Sequence, residues 1–219
     1  MEKKINIVLL PGWKNDKRSL YIFKDLLSRY ANLIFLDFPI LIDNTPLTIE
    51  DYVLLLHGKI KNLDNVYLLG HSFGGKIASF YALKYKIKGL ILIAPSTYIK
   101  KTFKTKILLF LNKLFNFFKI KKPHFLKGSS NYQMLNDLEK ITFKNVLKYL
   151  SKEELNMIDI KTIIIGFTND DCIKVNDLKY LNKNIKFSKL KLYNGDHFSY
   201  MDHAIDISVE IGDFINECN

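Results

Sequence analysis

The chain has 219 residues, enough for one ordinary domain with a substantial core and room for a small insertion. Its 33 Lys and Arg against 22 Asp and Glu give a formal charge of +11. The excess sits on scattered lysines, with few arginines and no zinc-ligand set, RNA-binding aromatic signature or recognition-helix pattern, so it reads as a solvated surface and excludes a nucleic-acid partner.

Taken in chain order, runs rich in Ile, Leu and Val predict strands near 5–10, 33–37, 66–70, 88–94, 162–166 and 187–193. They show little alternation, as strands buried on both faces do. Helices are predicted near 18–30, 48–62, 74–86, 174–182 and 200–216. This alternation makes an α/β protein with a mostly parallel sheet of about six strands and helices on both faces. No internal repeats interrupt it.

One stretch departs from the pattern. Residues 96–157 contain no convincing strand, which predicts a helical insertion between core segments 1–95 and 158–219. Within it Phe103, Ile107, Phe110, Leu114 and Phe117 follow helical spacing, with Lys104, Lys106, Lys113 and Lys119 between them. A second helical stretch near 131–150 carries Tyr132, Leu135, Leu138, Phe143, Val146 and Leu147.

The apolar run of the third strand stops on Gly70-His71-Ser72-Phe73-Gly74, a G-x-S-x-G pentad, and a helix-forming stretch follows. A serine there sits on a tight strand-to-helix turn with its hydroxyl clear of the sheet. Gly70 and Gly74 flank it because side chains would collide with the neighbouring strand and helix. Downstream, the run at 162–166 leads to Asp170-Asp171, and the run at 187–193 leads to Asn194-Gly195-Asp196-His197. Serine, then acid, then histidine, each just past a strand's carboxyl end, lie where open parallel sheets hold their active sites.

With these residues in this order, the chain resembles the α/β-hydrolase family over nearly its whole length. The resemblance implies a Ser-His-acid triad: Ser72 as nucleophile, His197 as its base, and a buried carboxylate fixing the imidazole tautomer. For the acid it favours Asp171, which is followed by Cys172, Ile173, Lys174 and Val175. Asp170 is the alternative acid and is otherwise expected to cap the following helix. Asp196 reads as a solvated loop charge. The resemblance places the oxyanion hole at two backbone N–H groups, those of Phe73 and of Trp13, in the loop after the first strand. Pro11 stands where the family often has histidine, at no cost to a backbone donor. Because the first strand leads directly into the oxyanion loop, the family's opening antiparallel hairpin is expected to be absent.

The family commonly places a lid where residues 96–157 lie, so Trp13, Phe103, Ile107 and Phe110 are candidates to line an acyl pocket. The implied activity is cleavage of a carboxylic ester through an acyl-enzyme, on a small-molecule, lipid or acyl-carrier-protein-bound acyl substrate. A lysophospholipase or monoacylglycerol lipase, an acyl-thioesterase, and a catalytically silent binding protein are the alternatives. The basic, apolar insertion also fits peripheral contact with lipid.

No metal or other cofactor is called for. His57, His124 and His203 have no metal-ligand spacing, there is no Gly-rich phosphate loop, and His71 reads as structural. Cys172 and Cys218 are lone cysteines with neither metal spacing nor a disulfide framework. The first apolar run is too short for a signal peptide and no stretch reaches membrane-span length, so the expectation is a soluble, cytoplasmic protein.

Overall fold

The computed structural model describes residues 5–100 and 130–218. They form two compact units, Met1–Pro39 with Thr48–Ile99 and Lys148–Asn219, and Ile40–Leu47 with Lys100–Leu147.

The first unit is built on strands β1 (Asn6–Leu10), β2 (Asn32–Phe35), β5 (Val66–His71), β6 (Gly89–Ile93), β7 (Thr162–Phe167) and β8 (Ser188–Tyr193). They pair in the order β2-β1-β5-β6-β7-β8, every pair parallel. Parallel neighbours need crossovers, and helices supply them. These are a 3₁₀ segment (Lys17–Phe23) running into α1 (Lys24–Leu27), then α2 (Ile49–Ile60), α3 (Phe73–Ala82), α6 (Lys152–Asn156) and α7 (Val175–Asn184), and α8 (Ala204–Cys218) follows the last strand. The 18–30 segment is thus mainly 3₁₀ and not one long helix.

Side chains alternate across the strands, and one face is easily traced. Ile7, Leu9, Tyr67, Leu69, Ile91, Ile93, Ile163, Ile165 and Phe167 form a continuous buried cluster with Ile207, Ile211 and Phe214 of α8. Burial of this much apolar surface is the main force holding helix to sheet. On the other face the helices come close because the strands carry glycine. A Cβ on Gly166 would strike Leu178 of α7, and one on Gly70 would strike the backbone of Gly74 and Gly75 in α3.

The sheet order contains a reversal. From β1 the chain steps outward to β2, then returns to lay β5 on the other side of β1. Loops leaving β1 and β5 therefore diverge over the sheet's carboxyl edge, where such folds hold ligands.

The second unit contains a short antiparallel hairpin, β3 (Leu41–Ile42) with β4 (Thr45–Pro46), and the helices α4 (Ser130–Gln133) and α5 (Asp137–Asn145). Asp43 and Asn44, at φ 48° and 58°, turn the hairpin, as a two-residue loop of positive φ requires. Thr142 of α5 donates its hydroxyl to the Ile40 carbonyl at 3.0 Å and accepts the Leu47 N–H at 3.1 Å, tying hairpin to helix. A reciprocal cap between Asn136 and Glu139 starts α5.

The sequence reading misses the hairpin, and the second unit does not coincide with the expected 96–157 insertion. Residues at both of its ends belong to the first unit, where Leu150 N–H donates to the Thr97 carbonyl at 3.1 Å and Tyr98 stacks on Tyr180 at 4.0 Å. Phe103, Ile107 and Phe110 lie outside the described residues. Among the described residues, no helix is long and apolar enough to cross a membrane.

Candidate active site

Ser72 follows β5 and begins α3 with φ 52° and ψ −110°, a conformation that costs a residue with a Cβ. Its neighbours hold it there. Ser72 N–H donates to the Ile93 carbonyl at 2.9 Å, and its own carbonyl accepts N–H groups from Lys76 and Ser96. The turn is compact because Gly74 lies against the end of β1, where a Cβ would enter the Leu10 and Pro11 carbonyls. The helix therefore starts beside the first strand, and the serine hydroxyl projects from the edge.

Two further loops converge on it. After β7, Thr168 and Asn169 donate their N–H groups to Tyr193 and Gly195, both at 2.9 Å, lashing this loop to the one after β8. His197 lies on the β8 loop. Its Nε2 is 3.0 Å from Ser72 Oγ and its Nδ1 is 2.7 Å from Asp170 Oδ2. With the carboxylate accepting at Nδ1, the neutral ring carries its proton there and offers the Nε2 lone pair to the serine.

The carboxylate beside His197 is that of Asp170, not the favoured Asp171. Asp170 is buried at 2% exposure, and its Oδ1 accepts the N–H groups of Cys172 at 2.7 Å and Ile173 at 2.8 Å. This Asx turn points the second oxygen at the imidazole. Burial pushes the Asp170 carboxyl up, but the hydrogen bond with His197 and those from Ile173 and Cys172 outweigh it, and the net shift is downward. Asp171 points into solvent, where it pairs with Lys174 at 2.9 Å. Asp196 is exposed but holds the turn before the histidine, accepting the Phe198 N–H at 2.8 Å.

The β1 loop completes the surroundings. A Cβ on Gly12 would stand 3.5 Å from Ser72 Cβ, so this loop lies against the serine. Trp13 follows it, half-buried, with its ring edge-to-face on Phe73 at 5.2 Å. Phe73 meets Tyr52 at 5.1 Å, and Tyr52 meets Phe38 at 5.7 Å, giving a row of aromatic rings beside the serine turn.

Sequence reasoning gives one buried group, His71, only a structural role and passes over another, Lys76. His71 has no exposed surface, and burial, with His197 nearby, pushes its pKa down to about 3. Lys76, one turn into α3, is 3% exposed, and burial brings its pKa down to about 7. Its ammonium lies 4.2 Å from the centre of the Tyr149 ring. An apolar context around a lysine is the one sequence signal for such a group, and Gly75-Lys76-Ile77-Ala78 carries it. The Asp170, Cys172 and His197 donors also lie within 4.8 Å of one another. Two of them are already bonded together, and burial pushes the Cys172 thiol up, away from the thiolate a metal needs.

Comparison with known proteins agrees with this fold. Residues 41–145 match the family model described as serine aminopeptidase, S33. A Mycoplasma pneumoniae protein classed as an esterase or lipase is 29% identical over 180 residues, 67% of this chain and 64% of its own length. The chain thus spans less than two thirds of that relative. An esterase from Exiguobacterium antarcticum superposes with a TM-score of 0.74 at 17% identity, covering 99% of this chain and 93% of its own. A lipase-esterase related protein from Clostridium acetobutylicum does so with a TM-score of 0.71 at 18% identity, covering 97% and 95%. With a six-stranded parallel sheet and a serine turn between β5 and α3, the chain has the fold of the α/β hydrolases.

Proposed function

We infer that the protein is a serine hydrolase that cleaves a carboxylic ester through an acyl-enzyme. One observation carries the reading: the unbroken line from Ser72 Oγ through His197 to Asp170, with links of 3.0 and 2.7 Å.

In the proposed reaction, Ser72 Oγ attacks the acyl carbon while His197 Nε2 takes the hydroxyl proton. The carbonyl oxygen gains a negative charge, held by the backbone N–H groups of Phe73 and Trp13. Collapse of this adduct breaks the bond to the alcohol, which leaves with the proton from His197. Water then gives its proton to His197 and attacks the acyl-serine. The acid leaves, and Ser72 recovers its proton. Asp170 stays ionised throughout and stabilises the imidazolium formed at each transfer. The lowered carboxyl pKa of Asp170 supports that role.

Trp13 and the adjoining aromatic row suit an apolar acyl group. A fluorophosphonate probe should label Ser72 stoichiometrically, and p-nitrophenyl esters from acetate to palmitate should be hydrolysed with a chain-length preference. Failure of the folded protein to react with either would reject the reading.

A further inference from the structure

We propose that His71 is a positioning residue that holds the His197 loop in register with Ser72 by donating a hydrogen bond to the His197 backbone carbonyl. The inference rests on the reading of His197 as the base.

The side chain of His71 extends from the last residue of β5, one position before the nucleophile. Its Nε2 lies 3.1 Å from the carbonyl oxygen of His197, a residue 126 positions away. A carbonyl only accepts, so Nε2 carries the proton and Nδ1 is a bare lone pair. Nδ1 faces the Gly12 turn, where a Cβ would come within 3.3 Å of it, and it is a buried atom without a hydrogen-bond partner. Leaving an acceptor unsatisfied in the interior carries the full desolvation penalty of that atom. An apolar side chain would avoid that cost, so the useful part of this ring is the donor at Nε2.

The surroundings fix where that donor points. The His71 ring lies 4.6 Å from the Tyr200 ring and 4.9 Å from the His197 imidazole. Tyr200 is itself anchored, donating its hydroxyl to the Ser19 carbonyl at 3.0 Å and stacking on Phe23. His71 is thus braced from behind and bonded in front. The His197 side chain is held by Asp170 and Ser72. The His71 bond adds a hold on its backbone, so the loop cannot drift there without breaking a partly buried hydrogen bond. Burial keeps His71 neutral, and so keeps a second positive charge away from the base.

The test compares two substitutions of similar length. Gln can present an amide N–H near the position of Nε2, whereas Met fills the space without a donor. His71→Met is expected to lower kcat up to about a hundredfold, as loss of alignment does, with KM little changed. His71→Gln should recover most of that loss. Independently of turnover, the downfield proton NMR resonance of the His197–Asp170 hydrogen bond should broaden or shift in His71→Met and persist in His71→Gln. Wild-type kcat in a folded His71→Met, or equal losses in both variants, would overturn the proposal. If His71→Met does not fold, His71→Gln alone decides: an unchanged resonance supports the role and a lost one rejects it. The resonance reports geometry even if no ester is turned over, so failure of the activity assignment would be recognised separately.

Discussion

Asp170 Oδ2 and His197 Nδ1 are 2.7 Å apart, and the other oxygen of the same carboxylate is tied to two backbone N–H groups. Neither oxygen is left to rotate. The imidazole is therefore held by a carboxylate that is itself immobilised, and its Nε2 reaches Ser72 without help from solvent.

Asp170→Asn should cut kcat by roughly 10⁴-fold, because an amide allows the wrong imidazole tautomer, with KM little changed. Asp171→Asn should change kcat less than about twofold, since its side chain is fully exposed and pairs with Lys174 at the surface. Steady-state kinetics of both variants checks the pair of outcomes, and a reversed order would return the role to Asp171.

Ser72→Ala should abolish labelling and turnover and leave the fold intact. Ser72→Gly should be equally inactive yet more stable than Ser72→Ala by about 1 kcal/mol, because glycine accepts φ 52° without strain. Urea denaturation of the two inactive variants reads this difference directly. Equal midpoints would mean that the serine turn stores no strain.

Much of this is legible in the sequence, for identifiable reasons. Strands β1, β5, β6 and β7 are nearly continuous apolar runs because both faces of the sheet are covered there, and Ser72 and His197 stand just past strand ends. Asp170 and Asp171 are not separable that way. Both follow β7 and both precede Ile173, and what divides them is which one turns its carboxylate back onto the N–H groups of Cys172 and Ile173. The hairpin at 41–46 is missed because its strands are two residues each, too short for any periodicity, although Asp43-Asn44 is a fair turn signal. The structural reading of His71 holds, but its partner is not legible, because the backbone carbonyl of a distant residue has no sequence signature.

The buried histidine also predicts a pH dependence of stability. Its pKa is pushed down to about 3 in the folded protein, against about 6.5 for a free side chain. Between these values the unfolded chain binds a proton that the native state refuses, so stability must rise with pH there and fall on acidification. Full coupling of one proton corresponds to about 1.4 kcal/mol per pH unit. Unfolding free energies measured from pH 7 to pH 4 should show this slope in the wild type and a shallower one in His71→Met. Asp170 acts lower in the range. Its lowered pKa gives stability that is present above about 3.9, the unfolded value, and is lost as pH falls toward the native one. Parallel curves for wild type and His71→Met would show that His71 takes up its proton in the native state.

Two glycine-to-alanine changes should act in opposite directions. Gly74 packs against the carbonyls of Leu10 and Pro11, which are backbone and cannot swing aside. Gly74→Ala should therefore push α3 away from β1, costing about 2–4 kcal/mol. The same shift would separate the Phe73 and Trp13 N–H groups, so activity should fall even where the protein remains folded. Gly58, inside α2, has nothing within 4 Å of a Cβ position. Gly58→Ala should stabilise by up to about 1 kcal/mol through helix propensity and lower unfolded-state entropy, with kcat unchanged. Thermal unfolding together with ester hydrolysis checks both. A tolerated Gly74→Ala would mean that the contact between serine turn and first strand is looser than the structure has it, and with it the placement of Trp13 and Phe73 as oxyanion donors would fail.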